Sequence, residues 1–522
     1  MKESEFIKIL ATQTESFQKL LESQKNDYSK HIEDLQNRIE LLINDQKQSH
    51  NDLLNLIAEI HEKDILIEAQ KEEIERLKNK KKKDSNNSSL PPSSDGLKKK
   101  NKTSSLRVSS DKKQGGQTGH KGKTLEIPKH IDNKKEIYPT KCLACPFFEQ
   151  CKKNNAVVTD KSRYVLDVIL KANVTQYSLV NMKCHCNNDK LEEASFPENI
   201  KSYIQYGSNL ESLIVLLNHF GLSCDRIEQI IDAACGITLC QSTVVNKVQK
   251  CADNVSSVVE EIKQRLINSK LVYFDETGVR IDGSTRWVHS SSSELYTYLT
   301  SNVKRGRIGI KEHGVLQFMN GGYAIHDCWP SYWAFNNVSH QICLVHVIRE
   351  LKYYISCNPN ALWSKLFKDF LIEIKKTKEK RISEGYNSID EAMLRFYSKK
   401  FDRLMVLGRV ENPLPLKTGK RGRPAKGELR ALIDRLTIHK DAVLLFIYNF
   451  EVPFDNSTAE RSVRNVKIKM RNAGCFRSWN GANNYLKIRS YLDTARKLGK
   501  NLFEAINQAL LGNPEFIFSI TS

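Results

Sequence analysis

The chain has no apolar run near the roughly 18 residues that a membrane-spanning helix needs, and its longest candidates, Leu213 to Leu217 and Val443 to Tyr448, are only core-sized. Its opening, MKESEFIKIL, lacks the apolar stretch of a secretion signal. A membrane protein and an exported protein are both disfavoured, and the expected location is cytoplasmic. Acidic residues are in short supply, with 61 Asp and Glu against 81 Lys and Arg and a formal charge of +20. That imbalance points to a polyanionic partner, and with a membrane disfavoured the partner is nucleic acid. Cysteine is not scarce, but 13 copies scattered through 522 residues form an odd count without a secretion signal. Reduced thiols with one metal site fit that pattern better than a disulfide framework.

A chain of this length has room for several domains. From Ile32 to Leu77 a heptad register runs without Pro or Gly, with Ile32, Ile39, Gln46, Leu53, Ile60, Ile67 and Ile74 at its a positions. The d positions are Leu35, Leu42, Ser49, Leu56, Lys63, Gln70 and Leu77, so ten of fourteen are apolar. Residues 1–84 are therefore expected to form a coiled coil that pairs copies of the chain, a lone amphipathic helix being the alternative. Residues 85–135 read as a flexible basic linker. Between Lys78 and Lys123 fourteen Lys or Arg stand against three Asp, with almost nothing apolar to bury, which suits a tether that tracks phosphates.

In residues 136–195, Cys142-x-x-Cys145 and Cys151 precede alternating apolar stretches, Tyr164 to Leu170 and Val174 to Val180, that end at Cys184-His185-Cys186. Two cysteine pairs across a hairpin-sized gap suit structural Zn²⁺, with Cys142, Cys145 and Cys184 as ligands and the fourth open among Cys186, Cys151 and His185. Residues 196–260 contain expected helices Asn209–Phe220, Cys224–Ala234 and Gln241–Cys251, the last two joined through Gly236-Ile-Thr. The pattern fits a helix-turn-helix and equally a small helical bundle.

The chemistry-bearing residues follow. Leu271 to Phe274 is an apolar strand that delivers Asp275, Asp282-Gly283 is a hairpin signal, and Leu295 to Thr300 makes a third strand. The segment GGYAIHDCWPSYW offers another short strand ending in Asp327, and Gln341 to Val345 reads as a strand leading into a helix with His346. Asp is a poor strand residue, so two at apolar strand ends suggest a paired acidic site. PFDNSTAER adds Asp455 and Glu460 at a helix start, where Ser457-x-x-Glu460 also fits a capping box. Crowded carboxylates are stable mainly when cations fill them, and Mg²⁺ or Mn²⁺, two per site, would serve phosphoryl transfer. Residues 261–355 and 451–497 would then form an α/β core, with a helical insertion over 356–450 and a helical tail over 498–522. His326 and His346 could reach the site, though an isolated histidine is more often structural.

These residues resemble the insertion sequence 66 family of transposases, of the DDE group with a ribonuclease-H-like core. The resemblance rests on SNNSSLPPSSDG, GGQTGHKGKTL, the cysteine cluster, QYGSNLESLIVLL, YFDETGVRI, HDCWPSY with CLVHVIREL, and VPFDNSTAERSVRNVKIKMRNAGCFRSWNGA. It implies catalytic Asp275, Asp327 and Glu460, with Asp455 belonging to the motif but not ligating. It also implies a transposase that acts on double-stranded DNA, both transposon ends and target, with accessory proteins from the same element as possible partners. The alternatives are a non-catalytic DNA-binding regulator and a Mg²⁺ nuclease that never joins strands. Cys184-x-Cys186 is one residue shorter than the family's usual pair. Arg461, Arg464, Lys467, Lys469 and Arg471 follow Glu460, and Arg477 lies in the Gly-Cys-Phe-Arg segment; Arg461, Arg464, Lys467, Lys469 and Arg477 are expected on phosphates, the alternative being a solvated basic face. Arg421 and Arg423, within KRGRP, suit a minor-groove hook, the alternative being a solvated loop.

Overall fold

The structure, a computed structural model, describes residues 5–38, 130–155, 163–166, 168, 170–184, 190–358, 361–414 and 426–519. It divides into two compact units, Met1–Lys83 with Met405–Ala431, and Asp84–Leu404 with Leu432–Ser522. In the first unit residues 5–38 form an exposed helix, α1. The heptad positions from Ile39 onward lie outside the described residues, as do the linker up to residue 129, Arg421 and Arg423.

The second unit begins with two short helices, α2 (Thr140–Leu143) and α3 (Phe148–Asn155), and a small antiparallel pair, β1 (Met182–Cys184) with β2 (Lys190–Glu192). The apolar stretches expected to alternate as strands do not do so among the described residues. Val165 and Val174 are about nine-tenths exposed, at 89% and 91%, because no second layer packs on them and a strand needs a partner face to bury. Four helices follow: α4 (Ser208–His219), α5 (Cys224–Cys235), α6 (Gln241–Asn254) and α7 (Ser256–Ile267). Ile214, Ile227, Ile231, Leu239 and Val244 form one apolar cluster that pins α4, α5 and α6 together. Gly236 closes α5 in the left-handed region (φ 65°), where a side chain would be strained.

A five-stranded sheet comes next, built from β3 (Leu271–Ile281), β4 (Ser284–Ser292), β5 (Thr297–Asn302), β6 (Tyr323–His326) and β7 (Ser339–Ile342), in the order β5-β4-β3-β6-β7. The first three make an antiparallel meander, while β6 and β7 run parallel to β3. Helix α8 (Arg307–His313) links the two halves. Asp282 and Gly283 both take positive φ, 48° and 67°, in a two-residue turn, the geometry the Asp-Gly pair favours. Strand β3 does not stop at Phe274: it runs unbroken through Asp275 to Ile281.

The rest is helical: α9 (Leu344–Cys357), α10 (Leu362–Ser383), α11 (Glu391–Glu411), α12 (Glu428–Ile438), α13 (Lys440–Tyr448), α14 (Ser457–Ala473), α15 (Trp479–Lys497) and α16 (Leu502–Leu510). Four of them, α10–α13, fill the long interval between α9 and α14. The expected strand at 341–345 is displaced, since β7 ends at Ile342 and α9 begins at Leu344. A helix-rich α/β unit around a mixed five-stranded sheet in this order is consistent with a ribonuclease-H-like core.

The sheet separates two apolar layers. Val272, Phe274 and Tyr298 face a large core shared with α7 and α16, and Val279, Ile281, Val288 and Leu299 face a smaller one with Val466 of α14. The alternation along β3 and β5 follows the two-residue period of a strand. The outer edge of β5 is covered by α15, whose hydroxyls stand where another strand's carbonyls would. Ser490 Oγ accepts the Leu299 N–H at 2.9 Å and Thr494 Oγ1 accepts the Thr297 N–H at 3.0 Å. Thr494→Val keeps the shape and leaves that buried N–H without an acceptor. It should destabilise this unit by about 1–3 kcal/mol, read as a lower thermal midpoint than a matched Thr→Val change on an exposed helix face.

Candidate active site

Strand register brings the first two carboxylates together. The parallel pairing of β3 with β6 runs Leu271↔Tyr323, Val272↔Ala324, Tyr273↔Ile325, and two further steps set Asp275 opposite Asp327. Neighbouring strands lie about 4.8 Å apart, so the two acids emerge side by side where β6 ends. Alternation sends Asp275 toward the α14 face of the sheet and its neighbour Glu276 toward the opposite face. Glu460, in the first turn of α14, approaches from the α14 side. Asp275 is half-buried. Burial, then the negative charge of Glu276, Asp327 and Glu460, pushes its carboxyl well above the usual range. The other two expected carboxylates therefore both bear on Asp275.

Glu460 sits where it does because of how α14 begins. Asn456 occupies the cap position, its amide donates to the Phe274 carbonyl of β3 at 2.8 Å, and its backbone N–H donates to Cys343 Sγ at 3.3 Å. The capping box offered by Ser457 and Glu460 does not form. The helix starts one residue earlier than the box requires, so Glu460 occupies the fourth helical position and its N–H bonds the Asn456 carbonyl at 3.2 Å. Asp455 shapes the helix start instead, its carboxylate accepting the Ser457 N–H at 2.9 Å. The Glu460 carboxylate is left facing His346, whose Nδ1 lies 3.8 Å from Oε1.

A second layer went unnoticed in the sequence. Glu276 is buried, and Arg305 reaches its Oε1 at 2.8 Å while Tyr332 donates to its Oε2 at 2.6 Å. Burial first and Asp327 second push the Glu276 carboxyl up to about 7, against the pull of Arg305. Arg305 stacks on Trp329 at 3.8 Å and lies 4.0 Å from Asp327 Oδ2. The other oxygen of Asp327 accepts the Trp329 N–H at 3.0 Å. The only hint in the sequence was Glu276 itself, directly after Asp275; Arg305 lies too far along the chain for any local pattern.

His326 is structural, being buried, bonded to His340 at 2.9 Å and stacked on Tyr332. Among the basic residues, Arg461, Arg464, Arg471 and Arg477 are exposed. Lys467 and Lys469 correct the expectation of a uniform phosphate-facing set. Lys467 donates to the Gly278 carbonyl of β3 and Lys469 to the Leu222 carbonyl at 2.6 Å, and burial lowers both ammonium pKa values. Of the expected zinc ligands, Cys142 and Cys151 are exposed and Cys145 half-buried, while the Cys184 side chain, His185 and Cys186 lie outside the described residues.

Comparison with known families gives two matches. The model for the Transposase IS66 family matches residues 204–484, and that for a family of unknown function (DUF6444) matches residues 33–126. No curated protein matches the chain. No described helix is long and apolar enough to cross a membrane.

Two outcomes follow from the charge balance. Arg305→Met strands Glu276 in the interior and should cost about 3–5 kcal/mol; adding Glu276→Gln should recover most of it, with thermal midpoints of the single and double variants as the measurement. For Asp275 the sign runs opposite to the usual acid. Its folded pKa lies above the unfolded one, so ionisation weighs against the fold as pH rises between the two values. In chelator at neutral pH, Asp275→Asn should therefore melt higher than the parent chain, and the gap should close as pH falls toward 4.

Proposed function

Because the chain belongs to the IS66 family of transposases, we propose that its second unit cuts DNA strands and joins them to a target at Asp275, Asp327 and Glu460. The observation that carries this reading is the strand register that sets Asp275 beside Asp327 while Asn456 anchors α14, and with it Glu460, to β3. The donor set fits a hard divalent cation: it is made of carboxylate oxygens, and Asp275 is driven up first by burial and then by neighbouring negative charge that a cation would offset. Asp275, Asp327 and Glu460 would hold Mg²⁺ or Mn²⁺, two per site, which when bound supply Lewis-acid stabilisation of the attacking and leaving oxygens.

The chain's own residues do the positioning. Arg305 holds Glu276 on the far face of β3, keeping one carboxylate out of the cluster. Exposed Arg461, Arg464 and Arg477 would grip phosphates flanking the scissile bond. Water attacks the phosphodiester and the bond to the 3′ oxygen breaks, freeing a 3′-hydroxyl. That hydroxyl then attacks a target phosphate in line, a new ester forming as the target's own 3′ oxygen leaves. Upstream, α1 and the heptads beyond it would pair two copies, and Cys142, Cys145, Cys184 and Cys186 or Cys151 would hold structural Zn²⁺. Helices α5 and α6 would contact transposon ends.

Asp275→Asn, Asp327→Asn and Glu460→Gln should each lower Mg²⁺-dependent cleavage of end-containing DNA at least about a hundredfold, with end binding retained in mobility shifts. Supplied with a pre-cut end, the parent chain should yield joined product. Cleavage without joining would identify a nuclease, and neither activity would identify a binding regulator.

A further inference from the structure

Among the described residues, one group of three ligating side chains has donor atoms all within 4.8 Å of one another, and it is not the carboxylate set. It consists of Cys343, His346 and Glu460. Cys343 is the buried cap residue of α9, and His346 stands three residues on, in the first turn of that helix. Side chains three apart share a helix face. Glu460 comes from the first turn of α14, which Asn456 holds against Cys343 Sγ. His346 Nδ1 is buried without a hydrogen-bond partner, although a carboxylate oxygen lies 3.8 Å away. Asn456 Oδ1 at the same junction is also buried and unpartnered.

We propose that Cys343, His346 and Glu460 form a second metal site, selective for a borderline-soft divalent cation of the zinc class, whose occupation withholds Glu460 from the catalytic carboxylates. The donor set is one sulfur, one imidazole nitrogen and one oxygen, which suits zinc and its neighbours and not magnesium. Bonds of about 2.0–2.3 Å in a tetrahedral centre set ligand atoms roughly 3.3–3.6 Å apart, so the 3.8 Å between His346 and Glu460 needs a shift of only a few tenths of an ångström. Two helix N-termini would repel a lone cation here; a thiolate and a carboxylate supply the charge that offsets them. Three protein ligands leave a fourth position for water. The inhibitory half of this proposal rests on Glu460 being catalytic, whereas the binding half does not.

Cobalt serves as the probe because a thiolate ligand gives it a charge-transfer absorption. In the full chain carrying Cys142→Ser and Cys145→Ser, which removes the other candidate site, one equivalent of Co²⁺ should produce that band. Cys343→Ser should abolish it while still accepting the Asn456 N–H. His346→Gln should weaken binding at least about tenfold, since even outer-shell changes cost 10- to 100-fold, and Asp275→Asn should leave the band in place. A band unchanged in Cys343→Ser overturns the site. In Mg²⁺-supported cleavage, added Zn²⁺ should inhibit the parent and lose at least tenfold in potency against Cys343→Ser. Equal inhibition of both overturns the regulatory half. If Glu460→Gln stays active in Mg²⁺ while the parent's cobalt band is present, the catalytic reading fails and the metal site stands.

Discussion

Crowded negative charge at the end of the parallel half of the sheet is the constraint on which the rest of this unit depends. Asp275 and Glu276 are consecutive, Asp327 directly follows the neighbouring strand β6, and Glu460 closes over them from α14. In water such groups would each ionise near pH 4. Partly out of water, every ionisation raises the cost of the next. The fold does not remove the problem but partitions it. Alternation along β3 gives Asp275 to one face and Glu276 to the other, where Arg305 meets it with a hydrogen bond and an ion pair and Tyr332 with a second hydrogen bond. On the α14 face, Asp327 has Arg305 only at 4.0 Å and Glu460 has His346 at 3.8 Å, while Asp275 forms no ion pair among the described residues. A fold that compensates one buried acid and leaves its immediate neighbour uncompensated is what the proposed cation site at Asp275 would require.

The same partition governs the basic helix that follows. Helix α14 spends its lysines inward and its arginines outward. Lys467 and Lys469 tie the helix to β3 and to the loop after α4, and an ammonium can do this because its pKa yields when buried. A guanidinium stays charged under all these conditions and presents a planar fork to phosphate. The exposed Arg461, Arg464, Arg471 and Arg477 therefore keep their charge at the surface, where a polyanion would meet it. Helix orientation decides this division, and overall charge cannot reveal it.

Much of the frame was legible because it is local. The turn at Asp282-Gly283 is written in two residues that tolerate positive φ, and helices α4 to α6 in apolar spacing closed by Gly236. Asp275 and Asp327 stand out because short apolar strands flag them, and Glu460 because the family resemblance picks it from a helix-start motif. Other features depended on tertiary context. Reading Asp275 as a strand terminus followed from its low strand propensity, yet β4 pairs with β3 on both sides of it, Asp275 itself facing Ser290, and carries the strand through. The capping box failed by a single residue of helix register, fixed by Asn456's bonds to a strand 182 residues away. Arg305 is 29 residues from Glu276 and reaches it only because β5 folds back beside β4. Val165 and Val174, in stretches with the apolar spacing of strands, stay about nine-tenths exposed.

Glu460 is where these lines of argument converge. Of the three carboxylates it alone is carried by a helix, while Asp275 lies within the sheet and Asp327 directly follows it. Asp275 is held in the β3–β4 ladder opposite Ser290, so it has little freedom to choose its neighbours. A helix start is fixed through its cap, and here the cap residue bonds both the Phe274 carbonyl and the Cys343 sulfur. Asn456 therefore sets Glu460 at once relative to Asp275 on one side and to Cys343 and His346 on the other. A carboxylate placed between an oxygen-rich set and a nitrogen–sulfur set is answerable to both. Were both sets to take cations as proposed, the cation present would decide which claims it, because hard oxygen donors and soft sulfur donors rank the same metals in different order.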